Sequence, residues 1–360
     1  MITKKIKDYI LNLQGEDGSF LDPVLNIKRN RVGAEIGKSL LFMEEKEQAY
    51  KSLNWVLKRQ NGNGSWNEIH PDLNEESTVV TSICGRVMVD AFRQSGSKKF
   101  LICAKKAADY VLTKEFSPGF FIKSYKHYAD VLNVNATVLS FISYLGKELK
   151  NKKLLDASER CIFNIARHQF KNGAYPYSTP VQSYPYEYHL NVPDIHYQGT
   201  TMYYLLLSKI KNKYLDISLE KGGQWLSNSI NDNGFMWEKS HLMFSHKTSG
   251  AYGFGAYCFK EQGYKEELKT CINILSKMQN NKGAFPRYEK RFSLIGLAKG
   301  CINELTGDAS IGLTYETMTR IKRIKERIKR ELFDVNFRND ESLLYTSQIF
   351  DCLTQGELNE

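Results

Sequence analysis

"LKRQNGNGSWNEIHPDLNEES", residues 57–77, is the stretch whose reading decides the fold. Its first half reads as the end of a helix running into Gln60-x-x-x-Gly64-x-Trp66. Its second half is a loop carrying Glu68, His70, Asp72, Glu75 and Glu76. A single copy would be a helix stop and no more. The pattern recurs, however, as Gln14, Gly18 and Phe20; as Glu115, Gly119 and Phe121, with Glu in place of Gln; and as Gln169, Gly173 and Tyr175. A degenerate copy keeps Gly234 with Phe235 and Trp237, and a complete one closes the series at Gln279, Gly283 and Phe285. The period is roughly 50 residues, which marks a repeat architecture.

Each copy has the same surroundings. A helical period precedes it, as in "KSLNWVLKRQ", where Leu53, Val56 and Leu57 share a face. The glycine is expected to end that helix in a left-handed cap, with the aromatic two residues on packing back. A polar, aromatic loop follows, and then a second helix of small residues. These second helices lie near "VGAEIGKSLLFM", "STVVTSICGRVM", "DVLNVNATVLSFISYL", "DIHYQGTTMYYLLL", "HKTSGAYGFGAYCF" and "SLIGLAKGCINEL", the last over 293–305. Nearly free of charge in their interiors, they read as helices buried on most sides. Six hairpins of one amphipathic and one buried helix close into an (α/α)6 toroid, all-α. The toroid is expected over residues 1–310, with residues 311–360 as a helical extension packed on it.

The composition agrees with a soluble globular chain: 42% hydrophobic and 25% charged residues. Its 21 Tyr are enough to line a wet cavity with flat faces and hydroxyls. A formal charge of +10 favours acidic partners. Seven scattered cysteines without a C-x-x-C pair predict reduced thiols rather than a disulfide frame or zinc knuckle. The start, "MITKKIKDYILNLQ", is too polar for a signal peptide, and no apolar run approaches a membrane span, so a cytoplasmic protein is expected.

The Q-x-x-x-G-x-[WF] turns resemble those of the terpene cyclase and protein prenyltransferase fold group. The same toroid carries polysaccharide lyases of the heparinase and alginate lyase type, glucuronyl C5-epimerases and unsaturated uronyl hydrolases. "DVLNVNATVLSFISYLGKE", "GAYPYS" and "PDIHYQGTTMYYLL" look like toroid proteins of bacterial surface-polysaccharide gene clusters. The fold resemblance covers residues 1–306, and that to the sugar-active group rests mainly on 130–204. It implies a carbohydrate-active enzyme acting on an acidic, uronate-containing polysaccharide or its lipid-linked precursor, as lyase, epimerase or hydrolase. The alternatives are an isoprenoid-binding enzyme of the terpene cyclase or prenyltransferase type and a non-catalytic glycan-binding protein. Against the isoprenoid alternative, the chain has no D-x-D-D or D-D-x-x-D cluster.

All six motif loops are expected at one end of the ring, where the inner helices begin and their dipoles favour an anion. The chemistry-bearing residues collect there. His196 and Tyr197, with Asp194 on the same helix start, are the expected proton-transfer group, joined by Tyr128 and His246. Glu75, Glu76, Asp130, Asn133, Tyr186, Trp237, Arg287 and Arg291 are the expected substrate-binding set, with Arg291 as anion anchor and Trp237 as a sugar-stacking platform. Competing structural roles are evident: Asp130 and Asp194 each suit an N-cap, Asn133 and Asn135 can bond neighbouring turns, and Glu68 and His70 suit a solvated loop. Metal spacing is poor, with no H-E-x-x-H, so no metal and no cofactor is expected. "GAYGFGAY" lacks a preceding strand and reads as close helix packing, not a nucleotide loop. "TRIKRIKERIKRELF", 319–333, sets Ile321, Ile324, Ile328 and Leu332 on one stripe amid Lys and Arg. It suits a surface helix or contact with an anionic membrane. The expected partner is an acidic saccharide, not nucleic acid.

Overall fold

The computed structural model describes residues 2–124, 130–179, 192–240, 247–289 and 339–358, with single helical positions at 298, 321, 324, 325, 328 and 332. Six outer helices are α1 (Ile2–Leu13), α3 (Lys46–Lys58), α5 (Lys98–Leu112), α7 (Lys152–His168), α9 (Lys213–Ser227) and α11 (Lys265–Met278). Six inner helices are α2 (Asn30–Phe42), α4 (Thr78–Ser95), α6 (Leu132–Leu149), α8 (Ile195–Ser208), α10 (Ser249–Gln262) and, from the chain's end, α12 (Leu343–Gln355). Each inner helix packs on the next, α2 to α4 to α6 to α8 to α10 to α12, and α12 packs back on α2. The ring is closed. Burial follows the expected division: α3 buries one stripe that includes Ala49, Leu53 and Val56, whereas α10 is buried without a break from Ser249 to Phe259.

The outer helices back the ring one step out of phase. α3 lies behind α2, α5 behind α4, and α1 behind α12, so the first helix covers the last inner one. The sixth inner position therefore belongs to Leu343–Gln355, whereas the sequence suggested the segment near 293–305, almost all of which lies outside the described residues. The chain beyond residue 310 thus supplies a ring helix. Most of the basic 319–333 stretch also lies outside the described residues. No helix among them is long and apolar enough to cross a membrane.

The motif turns explain their own sequence. The glycine does not cap the outer helix: α3 ends at Lys58, and Gly64 closes the following turn by donating its N–H to Asn61 O (2.9 Å). All six motif glycines have positive φ, from 78° at Gly119 to 106° at Gly234. At Gly64 a Cβ would sit 2.2 Å from Lys106 O on the next outer helix, so only glycine lets the turn dock there. Gln60 Nε2 clamps the contact by donating to Gly64 O and to Cys103 O, both at 2.9 Å. Gln169 repeats it with Gly173 O and Ser218 O. Gln279 donates to Gly283 O and to Ile2 O, which ties the last turn to the first helix. Glu115 accepts the Gly119 N–H instead, and pairs with Arg160 at 2.7 Å.

A second repeat is invisible at the level of residue type. The motif aromatic's backbone N–H donates to a side chain four residues past the N-cap of the following inner helix. The pairs are Trp66 to Thr81, Phe121 to Asn135, Tyr175 to Gln198, Phe235 to Tyr252 and Phe285 to Thr346. Hydroxyl, amide and phenol serve the same purpose, which is to satisfy a buried donor. Among the described residues three short antiparallel pairs decorate the turns: β1 (Asn67–His70) with β2 (Leu73–Glu76), β3 (Glu115–Ser117) with β4 (Phe120–Phe121), and β5 (Ile230–Asn231) with β6 (Gly234–Phe235).

Candidate active site at the mouth of the ring

The inner helices all start at the end where the motif loops lie, and this end is the mouth. Their dipoles are less available than expected, because the loops take up the first N–H groups. Thr78 N donates to Lys123 O (2.9 Å), Leu132 N to Tyr177 O (3.1 Å) and Ser249 N to Arg287 O (3.1 Å). An anion at the mouth must be held mainly by side chains.

On one wall, at the start of α8, Asp194 is fully buried and accepts Tyr197 N–H at 3.1 Å, an N-cap. His196 is 7% exposed, and its Nδ1 lies 3.0 Å from Thr248 Oγ1, the N-cap of α10. Its ring meets Tyr197, Phe254 and Tyr345 edge-on or tilted, at 5.2, 5.6 and 6.2 Å between centroids. Tyr197 also packs on Tyr177 at 4.5 Å. Burial, then the Tyr177 and Asp194 charges, push the Tyr197 phenol well above its ordinary range. It stays protonated at neutral pH and serves as a hydrogen-bond donor.

The hairpin β1–β2 forms another part of the rim. Glu68, expected as a solvated loop residue, is the centre of a charge cluster there. It lies 3.1 Å from His70 Nε2 and 2.9 Å from Lys123 Nζ, with its side chain 20% exposed. Burial works to raise its carboxyl, but the His70 hydrogen bond and the Lys123 charge outweigh that and hold it well below the usual carboxylate range. Glu75 pairs with Glu68 across the hairpin, and both side chains share a face. Glu76 instead accepts from Asn63 Nδ2 (2.8 Å), on the other face.

Below the rim, the ring interior holds charges that sequence reasoning missed. Arg31, Glu35 and Lys38 sit at i, i+4 and i+7 on α2 and so form one stripe. Arg31 Nε donates to Glu35 Oε1 (2.6 Å), while Ser347 on α12 donates to Glu35 Oε2 (2.8 Å). Lys38 pairs with Asp351 at 2.6 Å, and Tyr203 on α8 donates to the other Asp351 oxygen (2.7 Å). Burial raises the Glu35 carboxyl against the opposing pull of Arg31. The inner helices were expected to be nearly free of charge. The stripe in "NRVGAEIGKSLLF" was the legible signal against that expectation.

Other expected site residues serve the fold. Asp130 is buried and accepts from Asn135 Nδ2 (2.7 Å), Asn164 Nδ2 (3.1 Å) and Thr179 Oγ1 (3.1 Å). It locks α6 to α7 and to the fourth turn; Val131, not Asp130, is the N-cap of α6. Trp237 is 7% exposed, flanked edge-on by Phe235 and Tyr252, with its indole N–H on Glu289. Its ring is nearly buried among the described residues, not laid open as the expected sugar-stacking platform. Arg287 lies over the Tyr288 ring at 5.1 Å. Asn133, on the first turn of α6, has its Oδ1 buried without a hydrogen-bond partner among the described residues. Tyr128, Tyr186, His246 and Arg291 lie outside the described residues. Among those described, no three His, Cys, Asp or Glu side chains group to hold a metal ion.

No protein-family model and no curated protein sequence matches the chain. Solved structures do. One is an unsaturated glucuronyl hydrolase specific for heparin: 14% identity, 92% of this chain and 98% of that one, TM-score 0.62. Another is a cellobiose 2-epimerase from Spirochaeta thermophila: 9% identity, 91% and 96% covered, TM-score 0.61. A third is a type II terpene cyclase from Scytonema: 12% identity, 99% and 96% covered, TM-score 0.58. Likeness at such identities is likeness of fold, and it agrees with the closed double ring of helices: this chain is an (α/α)6 toroid.

Proposed function

We propose that the chain is a carbohydrate-active enzyme that performs acid–base chemistry on an acidic, uronate-containing saccharide at the mouth of the ring. The observation that carries this reading is that the mouth holds both an aromatic, imidazole-bearing wall at the start of α8 and the ionised Glu68 cluster on the β1–β2 rim. Flat rings suit the faces of a sugar, and Tyr, His and Glu supply proton donors and acceptors of different strength. In this reading His196 takes a proton, with the Thr248 hydroxyl, 3.0 Å from its Nδ1, holding the ring in place. Tyr197, held protonated, hydrogen-bonds to the oxygen on which negative charge develops, and His196 delivers the proton it took to the product or the leaving oxygen. Glu68 stabilises positive charge that develops on the sugar ring. Two of the similar structures are named for a glucuronyl hydrolase and a cellobiose epimerase, both of which fit such a set of groups.

The test is a parallel assay with unsaturated and saturated uronate oligosaccharides, neutral disaccharides and isoprenoid diphosphates, products being followed by NMR. Turnover of a uronate saccharide is expected, with His196→Ala inactive when assayed below its own, lowered melting temperature, since the buried ring leaves an aromatic cluster. Turnover of an isoprenoid diphosphate alone, or full activity in the His196 variant, would overturn the proposal.

A further inference from the structure

We infer that Arg31 receives the carboxylate of the acidic sugar, and that the sugar it receives is the end residue of its chain. This rests on the function proposed above and assigns the anion anchor, expected at Arg291, to a residue inside the ring.

The inference starts from the hydrogen bonds Arg31 does not make. Its Nε is held by Glu35 (2.6 Å), and among the described residues Nη1 and Nη2 carry no hydrogen bond. Arg29, two residues earlier, is different: Nη1 pairs with Asp22 (2.6 Å) and Nε donates to Ile69 O (3.1 Å), so it pins the hairpin. Arg31 keeps the outer edge of its guanidinium, two parallel donors at the spacing of a carboxylate's oxygens. Glu35 fixes the plane of that fork without occupying it.

Position then selects the ligand. α2 and α8 stand opposite each other in the six-helix ring, and the Arg31 charge is felt by the Tyr204 phenol on α8 and by Glu68 on the rim. Tyr204 has no hydrogen-bonded partner among the described residues, and it lies seven residues, about 10 Å along the helix, below Tyr197. In this placement the carboxylate lies on Arg31 and the rest of the sugar turns toward the Tyr197 and His196 wall at the mouth. Side-chain exposure falls from 20% at Arg31 to 2% at Glu35 and 3% at Lys38, going down the same stripe. Glu35, Lys38, Asp351 and Tyr203 close the interior directly beneath the fork, so a polymer cannot thread through. Only a chain end reaches Arg31.

The experiment is calorimetric titration of the full chain with three matched oligosaccharides: one ending in a uronate, one neutral, and one with its uronate inside the chain. The parent is expected to prefer the first. Because Arg31→Ala would strand a buried Glu35, the variant used is Arg31→Gln with Glu35→Gln, which removes both charges at nearly constant size; its fold is checked by circular dichroism. Its affinity for the uronate-ended sugar is expected to drop about ten- to a hundredfold, while that for the neutral one barely moves. A folded double variant that keeps the preference overturns the inference, as does a parent that binds the neutral or the internal-uronate sugar equally well. A double variant that keeps the preference, or a parent that binds the internal uronate equally well, leaves the wider proposal standing, whereas equal binding of the neutral sugar also removes its acidic substrate. Failure of the parent to bind any saccharide removes both.

Discussion

The outer-to-inner turns and the inner stripe of α2 are both built from polar residues in buried places, yet they obey opposite rules. At the turns one solution is used again and again: a Gln clamp, a left-handed glycine, an aromatic anchor, and an acceptor four residues into the next helix. In the ring interior the Arg31–Glu35 pair is single: neither residue has an equivalent on α4 or α8, and Asp351 has none on α10. Lys38 alone is matched, by the buried Arg86 nine residues past the N-cap of α4, which donates to Ser140 O instead of pairing with a carboxylate. In a repeat protein the recurring polar residue closes the architecture, and the polar residue that breaks the recurrence is the candidate for chemistry.

The largest test of that contrast lies at the turns. Gly64→Val and Gly173→Val each force a Cβ to within 2.2 and 2.1 Å of the next outer helix's backbone. Left-handed strain of about 1–2 kcal/mol and overpacking of about 1–3 kcal/mol then act together. A loss of about 3–4 kcal/mol is expected in urea denaturation. Gly96 and Gly263 also have positive φ, but nothing stands within 4 Å of their Cβ positions. Alanine there should cost only about 1 kcal/mol. Equal losses at both kinds of site would mean that docking, as opposed to backbone conformation, contributes nothing.

Next in size is the buried pair beneath the proposed site. Lys38→Met strands Asp351, which is 5% exposed, with only the Tyr203 hydroxyl as a side-chain partner among the described residues. A loss of about 3 kcal/mol is expected. Lys38→Met combined with Asp351→Leu should recover most of it, since an apolar replacement of a buried pair is close to neutral. A double variant as unstable as the single one would show that the pair specifies the packing of α12 on α2.

How far each region was legible follows from the same contrast. The turns could be read because glycine and Gln60-type clamps recur by residue type. The ring, its inner and outer layers and the position of the mouth followed from them. The sixth inner helix was misplaced because a small-residue segment near 293–305 imitates one, while Leu343–Gln355 announces itself only through Thr346, in a role that Thr81, Asn135 and Gln198 share without resembling one another. In the site, His196, Tyr197 and Asp194 do lie together at one helix start. Asp130 and Trp237 misled because a polar or aromatic residue beside a loop has the same appearance whether it meets a ligand or a neighbouring helix. Glu68 was undervalued for the reverse reason: its partners His70 and Lys123 come from two hairpins, and only the fold brings Lys123 to it.

A smaller effect separates the two carboxylates near the mouth by pH. Glu68 has a depressed folded pKa, so its contribution is complete above the unfolded value near 4 and is lost as pH falls through the folded one. Glu35 is raised by burial, so the fold loses stability as pH rises from the unfolded value through the folded one. In Glu68→Gln the stability at neutral pH should drop by about 1–2 kcal/mol, and the decline on acidification should flatten. In Glu35→Gln the fall on the rising side should vanish instead. Measured by urea titration at a series of pH values, parallel profiles for both variants would refute this division of roles.

The smallest effect comes from making the third turn conform. Glu115 departs from the Gln of the other complete copies, but its Oε1 still reaches the Gly119 N–H and its carboxylate bridges to Arg160 on the next outer helix. That is the same turn-to-helix clamp made with an ion pair in place of a carbonyl contact. Arg160 is 41% exposed, so solvent screens the pair and its net worth is about 1 kcal/mol or less. In Glu115→Gln the new amide can donate to a backbone carbonyl of α7, as Gln60 does on α5, while its oxygen keeps the Gly119 N–H. The one gain and the one loss nearly cancel, and stability is expected to stay within about 0.5 kcal/mol of the parent, with the residual salt dependence of this turn gone. A loss above about 2 kcal/mol in the same urea measurement would mean that the third turn is held by its charge and not by the shared geometry. Glu115 would then belong with the singular residues of the interior, and the line drawn between recurring and unique polar groups would have to move.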